Sequence, residues 1–185
     1  NEHLIRARET QTRVLALLNV GTLGVIRAPE VRSAEDIDHA AAVEAIQSAP
    51  DVIKGVKFRM VSPAITALGI EMPKAAKAIA TKAGVPVMVH VGDIMKQDPV
   101  AAELAPRLLT EVLTNGDIVT HTLSHQVGAL LADGTLLPQA REARANGVYF
   151  DVGVGGSNFA FESAQRVIDQ GFIPDTISSD VTMMS

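Results

Sequence analysis

Short apolar runs alternate along the chain with longer stretches whose apolar positions recur at helical spacing. The clearest run is PVMVHVGD, Pro86 to Asp93, rich in Val, bounded by Pro and Gly, and ending in a histidine. A run of this length and make-up predicts a strand buried on both faces. Two other stretches share its grammar. DIVTHTLSH puts His121 at the end of a strand, and DTISSDV does the same with Asp180. In a parallel α/β architecture, strand ends are where ligands and chemistry collect.

In chain order, the polar opening NEHLIRARETQT suggests the tail of a helix. Val14 to Val20 is a predicted strand, with Gly21 to Gly24 as the loop after it. SAEDIDHAAAVEAIQSAP predicts a helix capped by Ser33 or Asp36 and stopped by a proline, with His39 on its solvated surface. Asp51 to Ser62 is the next strand and Ser62 to Glu71 a loop. MPKAAKAIATKAG is a helix stopped by Gly84. After PVMVHVGD and a loop comes the helix AAELAPRLLTEVLTNG, kinked at Pro106. The strand DIVTHTLSH is followed by a turn and the helix in DGTLLPQAREARANG. VYFDVGVGG is a strand running into a glycine-rich loop, from which Ser157 or Asn158 could cap the helix FESAQRVIDQG. DTISSDV is the last strand.

Strands beginning near Asp51, Val85, Asp117, Val148 and Asp175 are 34, 32, 31 and 27 residues apart, the length of a strand plus a return helix. With the strand before them, they predict an α/β fold, either a (β/α)8 barrel or a doubly wound sheet. Polar residues at nearly every strand end favour the barrel. Residues 1–185 form one domain in this reading.

Composition narrows the functions. Aromatics are 3% of the chain, and branched aliphatics with Ala dominate, as in a parallel α/β core. The net charge of −5 excludes the basic footprint of a nucleic-acid binder. No cysteine is present, so any metal must be held by His, carboxylate or a modified side chain. No apolar run approaches a membrane span and no signal peptide is visible, so the expectation is a cytoplasmic protein acting on a small molecule, without nucleic acid or membrane. The chain opens on Asn1 and stops at Ser185 just after a strand, as a piece of something longer would. A partial barrel leaves strand edges unpaired, so missing strands or a homo-oligomer are expected to cover them.

Lys54 and Lys57 interrupt an apolar strand on opposite faces. Burying an ammonium costs several kcal/mol unless it is paired or modified. Lys54 lies near the strand's start and can reach solvent. Lys57 shares a face with Arg59 toward the strand's end and needs a partner or a task. Lys57, His90, His121 and Asp180 are thus predicted to converge on one barrel mouth. Imidazole and carboxylate suit Zn2+ and similar ions. A lysine amine can take up CO2 to give an anionic carbamate able to bridge two metals, which would acidify a bridging water and polarise a carbonyl. Asp180 would bind metal and move the proton. Gly153, Gly155 and Gly156 follow a strand and precede a helix, but GVGGSNF lacks the G-x-G-x-x-G spacing of a dinucleotide loop. The loop could serve a phosphate or a tight turn.

These stretches resemble the amidohydrolase superfamily and, within it, the deacetylase or dihydroorotase-like branch. GVKFR at 55–59 is similar to the branch's G-[I/L/V]-K-x-R, whose lysine is carboxylated. VPVMVHVGD at 85–93 resembles its fifth strand and DIVTHTLSH at 117–125 its sixth. FDVGVGG at 150–156 resembles the seventh, and GFIPDTISSDV resembles G-x-x-P-x-x-I-S-T-D. The resemblance covers residues 13 to 182 and implies a metal-dependent hydrolase of amide, ester or cyclic amide bonds. It implies one or two Zn2+ on Lys57 (as carbamate), His90, His121 and Asp180, with Asp180 as general base and only about strands three to eight of the barrel present. The family's first-strand H-x-H and small β-domain are not in this chain, Val154 stands where the family has His, and Thr182-Met183-Met184 replace a later His. Arg59 is a candidate for a substrate anion or a rim salt bridge. His125 and Gly155 are further substrate candidates, and Asp93 is expected to be a loop or cap residue. Two other readings stay open: an inactive fragment or degenerate homologue, and a phosphate- or sugar-binding α/β protein.

Overall fold

In the computed structural model, which describes residues 2–26 and 29–181, five of the apolar runs lie side by side as one parallel sheet. The strands are β1 (Ala16–Asn19), β2 (Ile53–Arg59), β3 (Val87–His90), β4 (Ile118–Thr120) and, after a small hairpin, β7 (Tyr149–Asp151). They are hydrogen-bonded in that order, so each crossover leads to the adjacent strand, as in the wall of a barrel. Helices fill the crossovers: α2 (His39–Ser48), α3 (Ala64–Leu68), α4 (Glu71–Ala83), α5 (Pro99–Arg107), α6 (Pro138–Ala145) and α7 (Phe161–Asp169), with α1 (Glu2–Glu9) ahead of β1.

The register sorts the sheet's two faces. Phe58, Val89, Val119 and Phe150 are lateral neighbours, and each is 0% exposed. Laterally paired residues point the same way. This apolar row joins the core that α2, α4 and α5 supply with Val43, Ile46, Ala76, Ile79 and Leu104. Arg59, His90, Thr120 and Asp151 form the next row, so they share the opposite face. Strands with one greasy and one polar face read as nearly continuous apolar runs because the polar positions are confined to their last residues.

The expected sixth strand is reduced to two parallel bridges, Asp151 to Thr176 and Val154 to Ser179. Between them Gly153 adopts φ +57° and turns its chain out of the ladder. Ile177 is left 85% exposed on the unpaired side. Asn1 and Thr182-Met183-Met184 lie outside the described residues.

Several local expectations are corrected. Neither Ser33 nor Asp36 caps α2: residues 34–36 make a 3₁₀ turn, and Asp38 is the cap, its carboxylate accepting from the Ala41 amide. Asp38→Ala should lower stability by about 1 kcal/mol, read as a shift in denaturant midpoint. The segment after Ser62 is not all loop, since α3 forms within it. Pro106 lies near the end of α5 and a π-helical turn, Leu108–Val112, follows it, which is the break expected there. Leu131–Ala132 and Thr135–Leu136 form the hairpin β5–β6, and its Asp133-Gly134 pair has positive φ at both positions, as a two-residue hairpin turn requires. Helix α7 takes Ala160 as its N-cap, without a side-chain bond from Ser157 or Asn158. No helix among the described residues is long and apolar enough to cross a membrane.

Candidate active site

At the C-terminal ends of the strands lies a cavity of about 640 Å³ lined by Lys57, Arg59, His90, His121, Asn158 and Asp180, among others. The four residues expected to carry chemistry therefore line one cavity. His90 is 3% exposed and His121 is 4% exposed. Their rings meet edge-on, centroids 4.3 Å apart at 67°.

His90 reaches the cavity as the last residue of β3. His121 gets there differently. It follows Thr120, and simple alternation would point it away from the His90 face. Its φ of 68° lies in the left-handed region and breaks that alternation. A non-glycine residue in this region is strained, and such strain concentrates at functional sites.

Each ring is held by a backbone carbonyl. His90 Nε2 lies 3.0 Å from the Gly92 oxygen, and His121 Nδ1 lies 2.9 Å from the Gly153 oxygen. A carbonyl only accepts, so those nitrogens carry the protons. Nδ1 of His90 and Nε2 of His121 keep their lone pairs. Burial pushes both imidazoles down in pKa, His90 far down, with the neighbouring cations Lys57 and Arg59 adding to the effect on His90. The neutral ring, pinned through its other nitrogen, is the form that ligates metal.

Lys57 is half-buried, and burial lowers its pKa to about 8 against the pull of Asp180 and Asp151. Among the described residues no hydrogen bond or ion pair engages its amine. Asp180 is half-buried as well. Its amide donates to the Val154 carbonyl at 2.6 Å, and its Oδ2 accepts from Asn158 Nδ2 at 3.0 Å. Among the described residues, no three His, Asp or Glu side chains converge as a metal site. The donors that fit an ion are two neutral imidazoles and an amine open to carboxylation.

Arg59 makes the rim salt bridge: its Nε donates to Glu30 Oε1 at 2.9 Å. Glu30 is buried, and its Oε2 accepts from Asn19 Nδ2 at 2.9 Å, so the pair is fixed in place. The terminal guanidinium nitrogens of Arg59 have no partner among the described residues. His125 is exposed and lines a separate hollow with Gln126, Glu162 and Arg166. Gly155 lies against Asp180. Asp93 is 0% exposed and accepts from the amides of Ser62, Met95, Lys96 and Asp98, which makes it the organiser of the loop after β3.

Sequence reasoning passed over two residues. Asp151, 3% exposed, accepts from the hydroxyls of Thr120 at 2.8 Å, Thr176 at 2.7 Å and Ser178 at 2.6 Å. It ties the segment leading to Asp180 onto β4 and β7. Asn158 was weighed only as a helix cap. The signal for Asp151 was present, as the acid that ends the strand Tyr149–Asp151. Nothing local marked Asn158.

No family model matches the chain. It is 34% identical over 179 residues to a deacetylase of Brucella anthropi, covering 93% of this chain and 42% of that protein. A deacetylase of Agrobacterium fabrum is also 34% identical, with 93% and 41% covered. A deacetylase of Enterococcus faecalis is 29% identical, with 95% and 46% covered. The chain thus spans less than half the length of these curated relatives. Among solved structures, an adenine deaminase superposes with a TM-score of 0.84 at 26% identity, covering 98% of this chain and 48% of that one. A dihydroorotase superposes at 0.82 and 32% identity, covering 98% and 47%.

Proposed function

We propose that the chain is part of the (β/α)8 barrel of an amidohydrolase-superfamily protein, and that the protein it forms is a metal-dependent hydrolase of small amides, cyclic amides or esters, with deacetylation as the leading activity. The observation that carries the reading is the pair of buried imidazoles, each pinned by a carbonyl through one nitrogen and keeping the other as a donor, in one cavity with Lys57 and Asp180.

His90, His121 and a carboxylated Lys57 would hold the ion, with Asp180 alongside. A divalent ion held there would acidify water and polarise the scissile carbonyl. Hydrolysis of an amide then needs a proton moved from the attacking water to the leaving nitrogen as the C–N bond breaks. Asp180 is the residue in the cavity with a carboxylate to do this. The buried imidazoles stay neutral through the cycle, since burial disfavours their charged form. Arg59 supplies a fixed cation for a substrate carboxylate, its Nε held by Glu30 and its outer nitrogens without another partner among the described residues.

The test is turnover by the full-length protein of a panel of N-acetyl amino acids, cyclic amides and acetyl esters, with metal analysis on the same sample. Activity with about two equivalents of Zn2+, lost to a chelator and restored by Zn2+, supports the reading. An exposed Val154 at the family's histidine position favours a degenerate homologue as the second reading. One equivalent or none, without turnover, would establish that instead. No metal but a bound anion would point to a binding protein.

Arg59→Lys should raise KM for carboxylate-bearing substrates by about tenfold and leave kcat within about threefold, because a flexible ammonium replaces a planar fork. Neutral substrates should be indifferent, and equal losses on both classes would remove Arg59 from substrate binding.

A further inference from the structure

The glycine-rich loop after β7 has no role in the reading above. We propose that it is a cradle for Asp180, with Asn158 as the positioning residue that fixes the carboxylate through Oδ2 and leaves Oδ1 as the working oxygen. This deepens the hydrolase reading and rests on it.

Four contacts build the cradle. Val154 donates to the Ser178 carbonyl at 2.8 Å, and its own carbonyl accepts from the Asp180 amide at 2.6 Å, so the loop and the segment before Asp180 are stitched on both sides. The Asn158 amide donates to the Gly155 carbonyl at 3.1 Å, closing the turn. Asn158 Nδ2 then donates to Asp180 Oδ2 at 3.0 Å.

The side-chain amide has only one workable orientation. A carboxylate accepts and does not donate, so nitrogen must face it and Oδ1 must face away. Asn158 is 4% exposed, and its Oδ1 is buried without a partner among the described residues. A buried unpaired acceptor is unfavourable by about 1–3 kcal/mol. The side chain thus carries one unsatisfied end while its other end holds Asp180.

Gly155 gives independent support. A Cβ at that position would lie 3.0 Å from Asp180 Cβ and 3.1 Å from Oδ2. Its φ is not in the left-handed region, so a side chain there would crowd Asp180 by a few tenths of an ångström without straining the backbone. A phosphate would find the wrong charge here, since the loop wraps a carboxylate.

The experiment uses the full-length protein with Zn2+ as the binding probe and p-nitrophenyl acetate as the acyl probe. It compares wild type with Asn158→Ala, Asn158→Asp and Gly155→Ala, and reads the Zn2+ dissociation constant by chelator competition, kcat and KM separately, and melting temperature. Asn158→Ala should lower kcat about a hundredfold with KM within threefold, and Gly155→Ala about tenfold or more. Asn158→Asp, although isosteric, should be the worst of the three in both kcat and Zn2+ affinity, because it sets a carboxylate against Asp180. A merely structural asparagine would lower the melting temperature in Asn158→Ala and leave kcat of the folded protein unchanged. Unchanged kcat in Asn158→Ala and Gly155→Ala overturns the cradle. If wild type itself neither binds Zn2+ nor turns over the ester, the hydrolase reading has failed instead, and the two failures are told apart by that control.

Discussion

Asp180→Asn should lower kcat by about 10³-fold or more while the protein keeps most of its metal and its melting temperature. General acid–base groups contribute roughly 10²–10⁴-fold in rate, and this substitution removes the proposed proton acceptor without changing side-chain volume. The surroundings sharpen the expectation. Asn158 Nδ2 donates to one oxygen of Asp180. In the variant, the new amide must give its single oxygen to that donor, so its NH2 replaces the other oxygen. A group that only donates then occupies the position from which a proton has to be taken. The backbone contacts of residue 180 do not involve the side chain, so the segment should stay in place. His90 and His121 do not depend on Asp180 for their hydrogen bonds and should continue to hold an ion. The check is kcat for the best substrate of the panel, with zinc measured on the same preparation. Unchanged turnover would remove Asp180 from proton transfer. Loss of all zinc alongside activity would make it a ligand first and a base second.

The parts of this fold visible in sequence were those fixed by local pattern. The runs at Val87–His90 and Ile118–Thr120 are too apolar and too short to be anything but buried strands, and their spacing announced the crossovers. The polar strand ends were visible because one histidine or acid stands out against valine and isoleucine. What stayed hidden depends on contacts between distant residues. The sixth strand has a suitable sequence, but its partner turns away at Gly153, and a glycine's φ is not written in its neighbours. Asn158 looked like a helix cap because caps are the commonest reason for such a residue before a helix. Its partner lies 22 positions further along the chain. Glu30 likewise meets Arg59 across 29 residues. The same holds for His121: sequence placed it at the site, and only the backbone shows that a left-handed residue turns it there.

Lys57 carries the largest remaining consequence. Its pKa of about 8, set chiefly by burial, means that near neutral pH a substantial fraction of the amine is unprotonated, roughly two orders of magnitude more than for an ordinary lysine. Only the neutral amine attacks CO2. Carboxylation would form the N–C bond as a proton leaves the nitrogen, and would give a carbamate anion, an oxygen donor in place of a cation. Zn2+ uptake by metal-free full-length protein should therefore need CO2. In buffer stripped of CO2, occupancy should fall by more than half, and bicarbonate should restore it. At constant dissolved CO2, the rate of uptake should climb about tenfold per pH unit from pH 6 to near 8 and level off above it, as the amine becomes neutral. Lys57→Met should abolish the CO2 response and lower activity by about 10³-fold. The same variant should be the more stable protein when metal and CO2 are both absent. The folded-state pKa lies below the ordinary value of 10.5, so below about pH 8 the native state carries the full penalty of a buried ammonium. That penalty is relieved as pH rises from about 8 toward 10.5. Replacing Lys57 should thus gain roughly 3 kcal/mol at pH 7 and progressively less above pH 8. A stabilised, inert Lys57→Met protein would fit a lysine kept for chemistry. If the variant is destabilised and zinc uptake ignores CO2, the lysine is structural, and its attraction to Asp180 and Asp151 is its whole role.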